Sequence, residues 1–199
     1  MIYECALVLR PELGEETLKA IKNLVPEVIA EAKGEILISE DWGTRTFAQP
    51  FENRMKRGHY IYFMYQANPQ VNAELERRYR INENIIRFLT VKLGGIAEKN
   101  SLVKNHQTPR FGESQGPDLS EDRDRRSFSK RRSCWFSAKK TKPDWKDTTT
   151  YDWLVNEFGK ISPQRMTGIQ PRFHRQAMAA IKRGRVMGLI SNVSAQTAR

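Results

Sequence analysis

The sequence predicts an α+β protein: a β-α-β-β-α-β domain over residues 1–95, a polar linker over 96–127, and a small, basic helical tail domain over 128–199. Three observations carry this. Strand-length apolar runs and segments with apolar residues at helical spacing alternate through the first half. Between Gly95 and Ser133 the apolar residues thin out while Gly, Pro, Ser and mixed charges dominate. The charge is also divided unevenly. The 199 residues carry a formal net charge of +11, yet residues 1–100 hold 14 Lys/Arg and 14 Asp/Glu, so the whole excess lies in the second half. A basic balance of this kind puts nucleic acid first among partners and an anionic membrane surface second.

Each element follows from local signals. Met1 to Leu9 is a short apolar strand closed by Arg10-Pro11. From Glu15 to Lys33, Leu18, Ile21, Leu24, Val25, Val28, Ile29 and Ala32 recur at helical spacing. Gly34 supplies the stop and Pro26 a point for a kink. Glu35 to Phe47 and Gly58 to Ala67 form two strands joined by a long basic loop. Asn68-Pro69 is an N-cap followed by a first-position proline, and Glu74/Arg78 and Glu76/Arg80 are i,i+4 pairs on a helix running to about Arg80. Ile85 to Val91 closes the domain as a strand, which completes the ferredoxin-like order. Further on, a helical stretch is expected from about Asp147 to Phe158, a connector over 159–168, and a last helix from Pro171.

That last helix carries the chemistry. Phe173, Ala177, Ala180, Ile181 and Gly184 fall on one side, and Arg172, Arg175, Lys182 and Arg183 on the other. A merely solvated charged face usually carries acidic partners at i,i+4, but no acid occurs from Gln170 to Arg199, which favours RNA contact. Lys130-Arg131-Arg132, Lys139-Lys140 and Lys142, with Trp135 and Trp145 nearby, form a second basic and aromatic region suited to phosphates and stacked bases. Arg126, Lys146, Lys160, Arg165 and Arg185 complete the candidate RNA-binding set. On the third strand Tyr60, Tyr62 and Met64 share one face, opposite Ile61, Phe63 and Tyr65, and are assigned to holding a partner.

Other classes find no support. His59, His106 and His174 are isolated, no Cys pair has metal-ligand spacing, and neither a phosphate-cradling loop nor a nucleophile elbow occurs. The expectation is therefore no enzyme, no metal, no cofactor and no small-molecule substrate. Cys5 and Cys134 are expected as free thiols in a reducing compartment. No leader and no membrane span is apparent.

Trp42-Gly43-Thr44-Arg45, Tyr60-Ile61-Tyr62-Phe63, Glu74-Leu75-Glu76-Arg77-Arg78 and Arg80-Ile81-Asn82-Glu83-Asn84-Ile85-Ile86-Arg87 together resemble the bacterial small-subunit ribosomal protein S6 family, over about residues 1–95. A different resemblance covers about 128–190. Lys139-Lys140, Asp144-Trp145-Lys146-Asp147, Gly159-Lys160-Ile161 with Pro163, Arg165, Thr167 and Gly168, and Ala180-Ile181-Lys182-Arg183 are similar to the ribosomal protein S18 family. The two resemblances imply a fused heterodimer on the platform of the small subunit, binding the central domain of its rRNA beside neighbouring platform proteins and supporting assembly. They also imply intramolecular pairing of the two halves, and Trp42, Arg45, Tyr60, Tyr62 and Arg87 are the expected inter-domain or partner contacts. A flexible tether would give effective concentrations approaching ~mM. A cytoplasmic ribosome is the expected location, with an organellar ribosome as the alternative. The rival function is an extra-ribosomal RNA-binding regulator of mRNA. Three departures from the S18 pattern stand out: Ser137 where a second Cys occurs in some members, Gly184 and Gly188 inside or near the last helix, and no Pro-Tyr after Ile190.

Overall fold

The computed structural model describes residues 1–51, 54–109 and 134–193. Its chain divides into two compact units, Met1–Phe47 with Glu52–Gln107, and Ala48–Phe51 with Thr108–Arg199.

The first unit contains β1 (Ile2–Leu9), α1 (Glu15–Glu31), β2 (Glu35–Thr46), β3 (Arg57–Gln66), α2 (Pro69–Ile81) and β4 (Ile85–Gly94). The strands form one sheet in the order β2-β3-β1-β4, every neighbouring pair antiparallel. The expected order of elements and the ferredoxin-like topology are both present. Alternation along the strands sorts the side chains. Tyr3, Cys5, Leu7 and Leu9 of β1 and Ile61, Phe63 and Tyr65 of β3 face Ile21, Val25, Val28 and Ile29 of α1 and Val71, Leu75 and Tyr79 of α2 in one core. Each large aliphatic side chain buried there contributes roughly 1.5–3 kcal/mol. Burial pushes the Cys5 thiol up to about 11, so it is a packed, protonated side chain.

The helix ends show how closely local sequence sets geometry. Asn68 caps α2 by accepting the Gln70 N–H, ahead of the first-position Pro69. Glu74 pairs with Arg78 at 2.8 Å and Glu76 with Arg80 at 3.8 Å, as their spacing predicts. Arg77, three residues from Glu74, joins it at 2.7 Å, and these two arginines hold the Glu74 carboxyl down to about 2. Helix α1 runs unbroken through Pro26. Its end differs from expectation. The left-handed residue is Lys33, at φ 55°, rather than Gly34. Lys33 N–H bonds the Ala30 carbonyl at 2.9 Å and Gly34 N–H the Ile29 carbonyl at 2.8 Å, a Schellman end with a lysine in the strained position. Gly34 is needed for a different reason, since a Cβ there would lie 2.7 Å from Ile29 Cγ2 and 2.8 Å from the Gln66 carbonyl oxygen.

The expected linker begins as structure. A 3₁₀ turn at Ile96–Glu98 leads into α3 (Lys99–Lys104), and the first unit extends to Gln107. Three contacts hold this segment that composition could not show: Lys99 to Glu35 on β2, Leu102 near Gly94, and His106 to Glu40 on β2. The remainder of 96–127 from residue 110 onward lies outside the described residues.

In the second unit, α4 (Trp135–Lys139), the single turn α5 (Gln164–Thr167) and α6 (Pro171–Val186) surround an aromatic centre. The Trp135 and Phe136 rings sit 5.0 Å apart, Trp135 and Trp153 5.8 Å, and Phe136 and Phe173 5.6 Å. The stretch expected as a helix from Asp147 to Phe158 is instead two 3₁₀ turns, Thr148–Thr150 and Asp152–Leu154, followed by a bridge from Val155 to Ile161. Asp147 accepts hydrogen bonds from both the N–H and the hydroxyl of Thr149, at 3.2 and 2.6 Å. Three successive β-branched threonines beside such a local acceptor favour a turn over an α-helix. Connector 159–168 likewise contains α5.

Lys33→Gly should raise the stability of the first unit by about 0.5–1 kcal/mol by relieving the left-handed lysine, and Gly34→Ala should lower it by about 1–3 kcal/mol through overpacking. Urea titrations followed by circular dichroism would check both signs.

Candidate nucleic-acid interface

Helix α6 places its cations by periodicity alone. Phe173, Ala177, Ala180, Ile181 and Gly184 are buried, the same five residues that the sequence puts on one stripe. Arg172, Arg175 and Lys182 are exposed on the opposite side and Arg183 is half-buried beside them. The Arg172 guanidinium lies 4.6 Å from the Phe173 ring centre, a cation–π contact that fixes the start of this basic stripe. Lys139, Lys140 and Lys142 are exposed at and beyond the end of α4, and Lys160 and Arg165 on the connector. Lys140 is the left-handed C-cap of α4, at φ 54°.

Two of the expected RNA-binding residues have partners within their own unit. Lys146 is 6 % exposed, its ammonium 3.1 Å from the carboxylate of half-exposed Asp144 and over the Trp145 ring, so it is paired within the unit. Arg185 is half-buried and donates to the Gly159 carbonyl, tying the connector to α6. Of the two tryptophans expected as stacking surfaces, one is a core residue and the other is half-buried. Trp145 is buried, and Trp135 packs on Phe136 and Trp153. Indole rings of this size gain more from the interior than from water. Arg126, Lys130, Arg131 and Arg132 lie outside the described residues.

The glycines of α6 have separate causes. At Gly184 a Cβ would meet the Tyr151 hydroxyl at 2.6 Å, and that buried hydroxyl donates to the Trp145 carbonyl at 2.7 Å. Gly188 is left-handed at φ 71°, with its N–H on the Arg185 carbonyl and the Leu189 N–H on the Gly184 carbonyl, a Schellman end. Ala48, in the connection between β2 and β3, belongs to this unit and donates to the Gly188 carbonyl at 2.8 Å.

In the first unit, the sheet face turned away from the helices is also buried: Ile2, Glu4, Ala6, Val8, Tyr60, Tyr62 and Met64. A bulge in β2, where Asp41 pairs with Ile61 but Gly43 with Tyr60, leaves Trp42 as the extra residue. Gly43 is left-handed there, at φ 72°, and its N–H bonds the Asp41 carboxylate at 2.8 Å. The bulge turns Trp42 onto Tyr62, with stacked rings 5.1 Å apart, and His106 stacks on Tyr62 at 5.2 Å. Glu40 grips both ends of the stack, accepting Trp42 Nε1–H at 2.8 Å and pairing with His106 Nε2 at 2.9 Å. The Tyr62 hydroxyl donates to the buried Glu4 at 3.1 Å. Burial acts to raise the pKa of neighbouring Asp41, but Lys22, the Gly43 N–H and His59 outweigh it and hold its carboxyl below the ordinary range.

Of the expected inter-domain residues, Trp42, Tyr60 and Tyr62 are thus buried, Arg45 is exposed with its Nε donating to the Trp42 carbonyl, and Arg87 is half-buried. Sequence reading missed Glu4, Glu40 and His106. The parity of β1 and β2 could have flagged the two glutamates, whereas His106, far along the chain, gave no signal. Among the described residues no group of three His, Cys, Asp or Glu could hold a metal, and no helix is long and apolar enough to cross a membrane.

A neutral split-βαβ sheet domain carried in one chain with a cationic helical unit has the make-up of a structural nucleic-acid-binding protein. Comparison with known proteins gives the family. Residues 2–92 match the model of Ribosomal protein S6, and residues 139–190 that of Ribosomal protein S18. The small ribosomal subunit protein bS6 of Geotalea daltonii is 47% identical over 92 residues, which cover 46% of this chain and 71% of that one. That of Trichlorobacter lovleyi is 33% identical over 117 residues, covering 56% and 95%. The crystal structure of 30S ribosomal protein S6 from Thermotoga maritima aligns at 28% identity with a TM-score of 0.46, covering 52% of this chain and 97% of that one. The chain belongs to the ribosomal protein S6 family and carries an S18 segment in the same polypeptide, a fusion of the two. Its role is structural and non-enzymatic, within the small ribosomal subunit.

Gly184→Ala should destabilise the second unit by about 1–3 kcal/mol, and adding Tyr151→Phe should recover part of that loss by removing the clashing hydroxyl. A double-mutant cycle on thermal unfolding measures the coupling, and additive losses would contradict this packing.

Proposed function

We propose that this chain binds the central, platform domain of small-subunit rRNA and supports subunit assembly, the S18-like unit making most of the RNA contacts. The observation that carries the reading is α6. A helix with one stripe fully buried and the other cationic can seat itself on protein and meet phosphates at once. No acid from Gln170 onward offsets its charge. Lys139, Lys140, Lys142, Lys160 and Arg165 extend the cationic surface, and Arg126, Lys130, Arg131 and Arg132 belong to the same proposal on sequence alone.

The S6-like unit is the neutral holder. Intramolecular pairing of the halves through the face bearing Trp42, Tyr60 and Tyr62, flanked by Arg45 and Arg87, is part of the proposal. It is supported by the aromatic character of that face. The linker, in this reading, keeps the halves paired at any dilution. Neighbouring platform proteins are the further partners, and the cytoplasmic ribosome is the location.

Charge reversal at Arg175→Glu with Lys182→Glu removes two phosphate contacts from an exposed face. Affinity for a central-domain RNA fragment should fall, the slope of log K against log salt should flatten by about 2, and the melting temperature should hold. Unchanged affinity would remove this face from the interface. Co-sedimentation tests the setting: stoichiometric presence in small subunits agrees with the ribosomal role, and absence from them points to a regulator acting on mRNA.

A further inference from the structure

The turn between Val155 and Ile161 presents an aromatic ring that neither the core nor the basic stripe of α6 uses. Phe158 is 63 % exposed, and it is the one exposed aromatic side chain among the described residues. A single exposed apolar residue is ordinary on a protein surface. This one is held differently. Val155 and Ile161 bridge the base of the turn. Asn156 N–H bonds the Lys160 carbonyl at 2.8 Å, and Gly159 N–H the Asn156 carbonyl at 2.9 Å. The Asn156 side-chain oxygen accepts the N–H of Phe158 at 3.0 Å and of Lys160 at 2.7 Å. Gly159 is left-handed at φ 74°, and a Cβ there would stand 2.7 Å from the Asn192 carbonyl oxygen. Arg185 anchors the tip from outside through the Gly159 carbonyl. The ring therefore sits on a pre-ordered tip, and ordering that loop adds little to the cost of binding.

Its surroundings decide what fits. Beside Phe158 stand Asn156, Gly159 and the exposed Lys160, with Arg185 behind; Glu157, the turn's one acid, already has an interaction of its own. A protein hot spot would surround the ring with further apolar surface to exclude water, whereas its neighbours at the tip are Glu157, Gly159 and Lys160. An unpaired nucleobase asks only for a π-face and for cations near its flanking phosphates. We propose that Phe158 is a stacking finger: its ring takes the face of an unpaired base of the RNA, while the exposed Lys160 sits near a flanking phosphate and Arg185 holds the tip in place. This rests on the RNA-binding reading above and adds a contact that reads single-stranded character, where the α6 stripe reads only charge.

The test uses the full chain and a central-domain rRNA fragment in filter binding across a salt series, with Phe158→Leu, Phe158→Tyr and the Arg175→Glu/Lys182→Glu pair side by side. Phe158→Leu should weaken binding about 5- to 150-fold with an unchanged salt slope, because a stack and no charge is lost. Phe158→Tyr should bind within about twofold of the wild type, because its π-face remains. Thermal melts check that both proteins are folded. If Phe158→Leu binds like the wild type while the charge pair is weakened, the finger is wrong and the RNA surface stands. If neither binds differently, the RNA reading falls and the finger with it. Equal weakening by Leu and Tyr, or unchanged RNA affinity with loss of Phe158→Leu from isolated small subunits, would also overturn stacking, the latter by assigning the ring to a protein neighbour.

Discussion

Every residue of β1, from Ile2 to Leu9, is buried, so the central strand has no face given to water. An antiparallel sheet with helices on one side commonly leaves the other side polar. Here the second side carries Tyr60, Tyr62, Met64, Val8 and Ala6, and a buried Glu4 whose carboxylate is satisfied by the Tyr62 hydroxyl. The rest of the first unit answers to that constraint. The bulge at Trp42, the grip of Glu40 on Trp42 and His106, and the helical start of the supposed linker all put aromatic or paired side chains over this face. An unpaired carboxylate at Glu4 would be costly in such surroundings, which is why a hydroxyl partner comes with it.

The second unit depends on a comparable economy. It is small, and its interior is built around Phe136, Trp145, Tyr151 and Phe173, with the half-buried Trp135 and Trp153 packed on Phe136, instead of a long aliphatic core. Large rings bury much area per residue, which suits a short segment carrying many cations. Gly184 lets Tyr151 lie against α6, and Gly188 ends that helix and offers its carbonyl to Ala48. Both departures from the S18 pattern thereby acquire structural reasons. Lys146 and Arg185 show the reverse: two cations that look like RNA contacts in the sequence are spent on internal pairing.

The S6 and S18 matches join in one chain two segments whose charge differs sharply. The neutral half supplies a sheet and the basic half supplies the cations. A protein that must fold before or while meeting a polyanion gains from this separation, since the core of the sheet domain carries no like-charge repulsion from the binding surface.

Periodicity made most of the fold legible: four strands, α1, α2 and α6, with the buried stripe of α6 identified residue by residue. Spacing suffices there because each helix or strand has a single period that must match the face it buries. Local chemistry was misjudged where two signals competed, at Lys33 against Gly34 and at the threonines after Asp147, because short-range hydrogen bonds overrode the pattern. The basic stripe of α6 was equally legible, since exposure on a helix follows from what its opposite side buries. The fates of Lys146, Arg185, Trp145 and His106 were not. Those depend on which distant atoms meet them, Asp144 and the Trp145 ring, the Gly159 carbonyl, the second unit's interior, and Tyr62 with Glu40, and no spacing rule encodes a meeting across the chain. By itself the sequence determined the α+β order and the segregation of charge, because both are properties of composition and period. Only the tertiary structure decided which cations remain available and which aromatic ring, Phe158, is left outside the core, because availability is what remains after packing has taken its share.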